Sequence, residues 1–361
     1  MDQESYKQAE WPLVGNEHIV NYLSGISKKD DLGGSYIFLG PRNLGKSTLA
    51  NYFVKSILCE KRGKGEDGAP CQECPSCRQM KKLRTSTDYK QEREEGFEVV
   101  HGDFHIVKKE NTKKNISVEQ IRVLIDALSK SSFSNSYKVG IIKKAETLSP
   151  EASNALLKTL EEPRRKVIVI MIASNLEFIP ETIVSRSRVL NFYPVKTDYI
   201  YDHLVNCFNT SRTNAANISR LSLGRPALAV KLLEDEDFYN KYITRAKTFI
   251  DFFGQDINTK FSSLGNIKTA TGSSAGGDAP KESRDTLEAW RGVVRDLLLL
   301  VTNNKDLIQY KILSPDLERV AAGVDIGFLL AINKKLDHGE KQIESNVNPN
   351  LVLEDIACAI N

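Results

Sequence analysis

The run Gly40-Pro41-Arg42-Asn43-Leu44-Gly45-Lys46-Ser47 fits the pattern G-x-x-x-x-G-K-[ST], and its flanks decide what it can mean. Tyr36-Ile37-Phe38-Leu39 reads as a short buried strand, and Ser47 to Val54 reads as the start of an amphipathic helix. A strand, a glycine-rich turn and a helix in that order aim successive backbone N–H groups into one concavity, which suits phosphate oxygens. Lys46 is expected to reach the β- and γ-phosphates of a nucleotide, and Ser47 to help hold Mg²⁺. Gly40, Asn43, Gly45 and Thr48 complete this candidate nucleotide site.

Further along, Phe104-His105-Ile106-Val107, Tyr137 to Ile142 and Val167 to Ala173 are continuous apolar runs rather than alternating ones. That pattern suits parallel strands covered on both faces. Ser117 caps a helix that begins at Val118, and a second helix is expected over Glu151 to Glu162, ended by Pro163. The fold expected is therefore an α/β P-loop core, a parallel sheet flanked by helices, over residues 1–194. A small helical lid over 195–235 and an all-helical domain over 236–361 follow. Leu264 to Ser283, rich in Gly, Ser, Thr and Ala, reads as a flexible loop in the last of these, and Arg84 to Gly96 as a solvated polar loop.

Four of the six cysteines crowd into one stretch with the spacing C-x11-C-x2-C-x2-C: Cys59, Cys71, Cys74 and Cys77. The opening residues Met1 to Ser5 are polar and acidic, unlike a secretory leader, so reduced thiols and a cytoplasmic location are expected. Four clustered thiolates then favour a closed, structural Zn²⁺ site over residues 59–77. Cys207 and Cys358 lie in apolar helical patterns and read as core fillers. No run of eighteen apolar residues is present, so no membrane span is expected. A net charge of +3 in 361 residues announces no global field for nucleic acid. The local clusters Lys81-Lys82 with Arg84, and Lys108-Lys109 with Lys113-Lys114, read as solvated faces. His101 and His105 do not converge on a metal and are expected to satisfy hydrogen bonds at the core or sheet edge.

Several segments stand in one order: Val14-Gly15-Asn16-Glu17-His18, the phosphate loop, the four cysteines, His101 to His105 and Ile116 to Arg122. Asn154-Ala155-Leu156-Leu157-Lys158-Thr159-Leu160-Glu161-Glu162-Pro163, Ser185-Arg186-Ser187, Gly224-Arg225-Pro226, Trp290-Arg291 and Asn346 to Glu354 continue it. That order resembles the AAA+ clamp-loader subunits of bacterial DNA polymerase III, and the Asn346-Val347-Asn348-Pro349 stretch is similar to the delta-prime type. The resemblance covers nearly the whole chain. It implies a zinc-binding insert, a helical collar that holds a pentameric ring, and loading of a sliding clamp onto primed DNA during DNA replication. The implied partners are the tau/gamma motor subunits, the delta subunit, the clamp and primer-template DNA gripped by the assembled ring.

The resemblance also implies residue roles. Family members present an arginine from Ser-Arg-Cys to the ATP of the neighbouring subunit; here Ser185-Arg186-Ser187 keeps the arginine and loses the cysteine. Ser174 or Asn175 stands at the first sensor position, Arg225 at the second, and Trp11, Val14 and Gly15 on the adenine side. One departure is larger. Where an active site of this class ends a strand in two carboxylates, this chain has Ile141-Ile142-Lys143-Lys144-Ala145-Glu146. Lysine cannot act as the carboxylate base, and two ammonium groups repel Mg²⁺.

ATP with Mg²⁺ remains a candidate ligand, but efficient hydrolysis by this chain alone is not expected. The function expected is a stator that donates Arg186 in trans. The alternatives are a motor ATPase of the tau/gamma kind, or a free-standing ATP-dependent switch that joins no ring.

Overall fold

The computed structural model describes residues 11–29, 32–62, 68–80, 96–110, 113–132, 137–162, 166–270, 279–345 and 347–360. In chain order the elements are α1 (Glu17–Ser27), β1 (Gly34–Leu39), α2 (Lys46–Leu58), α3 (Pro75–Gln79), β2 (Phe97–His101), β3 (Phe104–Val107) and α4 (Val118–Ser129). Next come β4 (Lys138–Lys143), α5 (Pro150–Glu161), β5 (Val167–Ala173), α6 (Glu181–Val184) and β6 (Arg188–Asn191). An all-helical run follows: α7 (Thr197–Phe208), α8 (Arg212–Leu221), α9 (Pro226–Glu234), α10 (Glu236–Asp251), α11 (Ile257–Ala270), α12 (Ala279–Val301), α13 (Ser314–Ala321), α14 (Ile326–Glu344) and α15 (Pro349–Cys358). The chain divides into two compact units, one of residues 1–203 with 224–230, the other of 204–223 with 231–361.

In the first unit the strands lie in the order β2-β3-β4-β5-β1-β6. All neighbours are parallel except β2 and β3, which pair antiparallel. The apolar runs explain this mixed α/β layer. In β5, Ile168, Ile170 and Ile172 join one core with Leu49, Phe53 and Ile57 of α2. Val167, Val169, Met171 and Ala173 join the other with Leu124 of α4 and Leu156 of α5. Successive side chains on a strand point to opposite faces, so a continuous apolar run feeds two cores at once. The helices start where the sequence places their caps. Ser117 and Gln120 form a capping box on α4, and Ser149 accepts from the N–H of Ala152 ahead of Pro150 at the start of α5.

The second unit is built around α12. Trp290 is fully buried, stacks on Phe249 of α10 at 4.9 Å and donates its indole N–H to the carbonyl of Arg245. Asp296, wholly buried, accepts the backbone N–H groups of Gln309 and Tyr310 at 2.8–2.9 Å. That satisfies a carboxylate whose pKa burial raises.

Three expectations change here. The stretch 264–283 is helical at both ends, because α11 runs to Ala270 and α12 begins at Ala279; residues 271–278 lie outside the described residues. Alanine and lysine in those flanks favour helix despite the missing apolar period. Cys207 and Cys358 are exposed rather than core fillers; Cys358 directly follows the buried Ala357 and precedes the buried Ile360, so it lies off the packed face of its helix. Strands β2 and β6 are additions, each short and only partly buried. Most of the polar stretch from Arg84 to Gly96, with Lys81, Lys82 and Pro163, lies outside the described residues.

Candidate functional site

The phosphate-loop sequence forms a tight turn between β1 and α2 at the C-terminal edge of the sheet. Gly45 takes φ 90° as it opens α2, and Asn43 takes φ 64°. A side chain on Gly40 would place its Cβ 2.4 Å from the carbonyl oxygen of Phe192, so only glycine lets the loop lie against the end of β6. The N–H of Gly40 donates to Ala173 at the end of β5 at 3.2 Å. Ser47 and Thr48 fall in the first turn of α2.

Lys46 is 6% exposed, and its ammonium donates to the carbonyl oxygens of Gly40 and, at 2.6 Å, Pro41. Burial lowers its pKa to about 8; nearby Glu146 pushes it up, and Arg42 pushes it down.

Other expected residues converge on this edge. Ala227, in the first turn of α9, donates its N–H to the carbonyl of Asn43 at 3.1 Å, which brings Arg225 beside the loop. Leu13 abuts Gly45, and Gly15 lies against Val195; Val14 stands between these two contacts in the chain. Ser174 directly follows Ala173. The side chain of Asn175, in contrast, closes a local turn on Glu177, with both contacts at 3.0 Å. Trp11 is 2% exposed and packs on Tyr52 and Phe53 of α2, a core position rather than a lining one.

Lys143 ends β4 opposite Ile172 of β5. Strand alternation sets it on the face of Ile141 and Ile172, the face that α2 covers. Lys144 takes φ 55° and opens a 3-10 turn over Ala145–Thr147. That turn carries Glu146, whose Oε2 is buried with no hydrogen-bond partner.

Arg186 stands at the other edge. The six-residue strand β1 rises about 3.3 Å per residue, so the roughly five-residue step from Ser35 to Gly40 separates the two ends by about 16 Å. Ser35 Oγ donates to the carbonyl of Arg186 at 2.7 Å, and Ser187 Oγ lies 3.2 Å from Ser35 Oγ and 2.8 Å from the carbonyl of Ile183. The backbone of the arginine is thereby tied to β1. Its exposed guanidinium pairs with Glu161 at 2.9 Å and donates to the carbonyl of Thr182 at 3.0 Å. An exposed pair of this kind contributes about 0–1 kcal/mol, so it restrains the arginine weakly. Ser35 carries no linear signal, since it meets Arg186 from 151 positions away. Glu161 was visible in the Leu160-Glu161-Glu162 run, but its partner was not.

The four clustered cysteines meet at the far end of α2. Cys59 follows Leu58 directly, and Cys74 caps α3 by accepting the N–H of Cys77. The four sulfur atoms lie within 4.8 Å of one another, and Cys59, Cys74 and Cys77 are buried. Backbone N–H groups of Cys71 and Cys74 donate to the sulfurs of Cys59 and Cys71 at 3.3 and 3.4 Å. Burial pushes the Cys71 thiol up, but N–H groups of Glu73 and Cys74 outweigh it and bring it to about 6, while burial raises Cys59 and Cys77. The donor set fits a metal ion that prefers sulfur.

Other candidates do not join these sites. His101 accepts from the N–H of Asp103 at 3.1 Å, as expected of an edge histidine, whereas both ring nitrogens of His105 are buried without a partner as it stacks on Phe97. Lys108 pairs with Glu98 at 3.0 Å and Lys113 with Glu110 at 3.1 Å, so acids interrupt that basic cluster. Among the described residues no helix is long and apolar enough to cross a membrane.

The comparisons agree with this geometry. Residues 15–196, just over half of the chain, match a family model described as "DNA polymerase III, delta subunit". A DNA polymerase III subunit tau from Bacillus subtilis is 31% identical over 188 residues, 52% of this chain and 30% of that one. Delta-prime subunits from Bacillus subtilis and Haemophilus influenzae are 27% identical over 220 residues and 28% over 210. These alignments cover 61% and 58% of this chain, and 60% and 56% of theirs. The chain thus spans less than two thirds of the length of these curated relatives. A solved DNA polymerase III gamma subunit-related protein from Thermotoga maritima shares the fold, with TM-score 0.50 and 14% identity over 94% of this chain and 97% of that one. The chain belongs to the DNA polymerase III, delta subunit family, a clamp-loader family.

Proposed function

We propose that this chain is a stator of a DNA polymerase III clamp loader, lending Arg186 to the ATP of a neighbouring subunit and turning over little ATP of its own. The observation that carries the reading is the placement of Arg186 at the edge of the sheet opposite the phosphate loop, about 16 Å along β1. An arginine there cannot serve its own nucleotide, but a guanidinium presented to another subunit can stabilise charge developing on a transferred phosphoryl group. The lysines at the end of β4 support the same reading, since neither can act as a carboxylate base.

The relatives named tau, gamma and delta-prime make motor subunits, a delta subunit, a sliding clamp and primed DNA the partners to test, in a pentameric AAA+ ring. Within this reading, residues 195–235 act as a lid and 236–361 as the ring-holding collar. Zn²⁺ is the ion for the four thiolates, because a closed set of sulfur donors leaves no open position for catalysis. Metal analysis should find it stoichiometric with protein, and Cys77→Ser should lose it.

The test is reconstitution with the motor and delta subunits of the same organism, read by sizing chromatography, beside steady-state ATP turnover of the chain alone. A stable complex and negligible turnover alone are expected. Brisk turnover alone, abolished by Lys46→Ala, would favour the motor reading. Failure to form any complex would favour the free-standing switch.

A further inference from the structure

We propose that the phosphate loop takes a nucleoside triphosphate or diphosphate without a divalent cation, the ammonium of Lys143 standing where a metal-holding carboxylate would be needed. The inference rests on reading this loop as a nucleotide site and names the ionic form of the ligand that the site accepts.

A Mg²⁺ site in a loop of this kind takes one ligand from the serine after the lysine and relies on a carboxylate at the end of a nearby strand. Ser47, in the first turn of α2, holds the first of these positions. The strand position is Lys143, on the face covered by α2 and separated from β1 only by β5. An ammonium there repels a doubly charged cation and attracts the phosphate oxygens that the cation would otherwise bridge. Arg42 lies close enough to act electrostatically on Lys46, and the N–H of Ala227 binds the loop one residue beyond the pair Arg225-Pro226. Lys46 and Arg42 thus stand at the loop, with Lys143 at the end of β4 and Arg225 two residues before the loop-binding Ala227. The acid on the adjoining turn is Glu146, a single carboxylate whose electrostatic partner is Lys46. One carboxylate beside a strand that ends in lysine does not make the metal-binding pair, so the residues present do not supply what Mg²⁺ relies on.

The experiment is calorimetric titration of the purified full chain with ATP and with ADP. Each is supplied once as the sodium salt, stripped of divalent ions on a chelating resin, and once with Mg²⁺. No soluble chelator touches the protein, since it would compete for the four-thiol site. Affinity without Mg²⁺ within about threefold of that with Mg²⁺ is expected. Lys143→Asp should weaken the metal-free titration tenfold or more and recover affinity when Mg²⁺ is added. Inorganic tripolyphosphate, titrated in the same way, should bind without Mg²⁺ if the phosphates carry the recognition.

A wild-type affinity that falls tenfold or more when Mg²⁺ is removed would overturn the inference, and would point to Glu146 and Ser47 as metal ligands after all. Absence of binding in either medium would also overturn it, while leaving the stator reading to stand or fall on complex formation. The wild-type comparison needs no variant, so a Lys143→Asp protein that failed to fold would not shield the proposal.

Discussion

The two edges of one sheet have had opposite fates. At the C-terminal edge the phosphate loop keeps its glycines and Lys46, yet β4 delivers Lys143 and Lys144 where acids would serve hydrolysis. At the N-terminal edge Arg186 is followed by Ser187, and its backbone is tied down by Ser35. A binding loop survives loss of its acids because its donors are backbone N–H groups and one lysine. An arginine proposed to act on a neighbour's nucleotide needs no cysteine beside it, because its reach depends on backbone position and a charge that never titrates. On the proposed reading, the difference makes binding and hydrolysis separable within one loop, with an arginine that depends on neither.

The largest expected effect separates the edges outright. Lys46→Ala should weaken nucleotide binding about 10- to 100-fold, the worth of charged hydrogen bonds of about 1.5–3 kcal/mol. Arg186→Ala should leave the same titration within about twofold. Equal losses in the two variants would mean the edges are not independent.

The pH dependence is next. Lys46 in the folded protein loses its proton near pH 8, below its ordinary 10.5. Phosphates hold that proton on, so nucleotide affinity should fall as pH rises above about 8, approaching tenfold per pH unit. Stability runs the other way. Between pH 8 and 10.5 the unfolded chain binds more protons than the folded one, so the contribution of Lys46 to folding improves as pH rises. Titrations and denaturant melts from pH 7 to 10 check both signs.

A smaller effect is expected at the brace. Ser35→Ala removes the hydroxyl between Arg186 and Ser187, at a cost of about 1 kcal/mol of stability. Turnover in the assembled complex should fall severalfold, with this chain's own nucleotide affinity unchanged. Smallest of all, Glu161→Gln should shift stability by less than about 1 kcal/mol and leave that turnover intact, because the exposed pair only parks the guanidinium. A large loss in Glu161→Gln would make the acid part of the presentation.

Much of the first edge is legible in linear order. The loop, its flanking strand and helix, the capping box at Ser117 and the four thiols are all local patterns of spacing. The apolar runs of β4 and β5 announce themselves because both faces are covered. The second edge is not legible in this way. Ser35 and Arg186 meet across 151 positions, and nothing in the sequence marks a serine as a brace; the contact of Asn43 with Ala227 is as hidden at the first edge. Strand β6 leaves no mark in the sequence, because four residues with exposed ends hold no period. Cys207 and Cys358 are exposed although they lie in apolar stretches, because nearby apolar residues do not fix which side of the helix a cysteine takes.

The most direct measurement of the central claim is ATP turnover by the complex reconstituted with motor and delta subunits, comparing Arg186→Ala with Lys46→Ala in this chain. The account predicts that Arg186→Ala silences the neighbour's site, at which an arginine of this kind is worth about 10³-fold or more, while Lys46→Ala leaves turnover near wild type. Loss of turnover with Lys46→Ala and none with Arg186→Ala would contradict it, and would make this chain a motor.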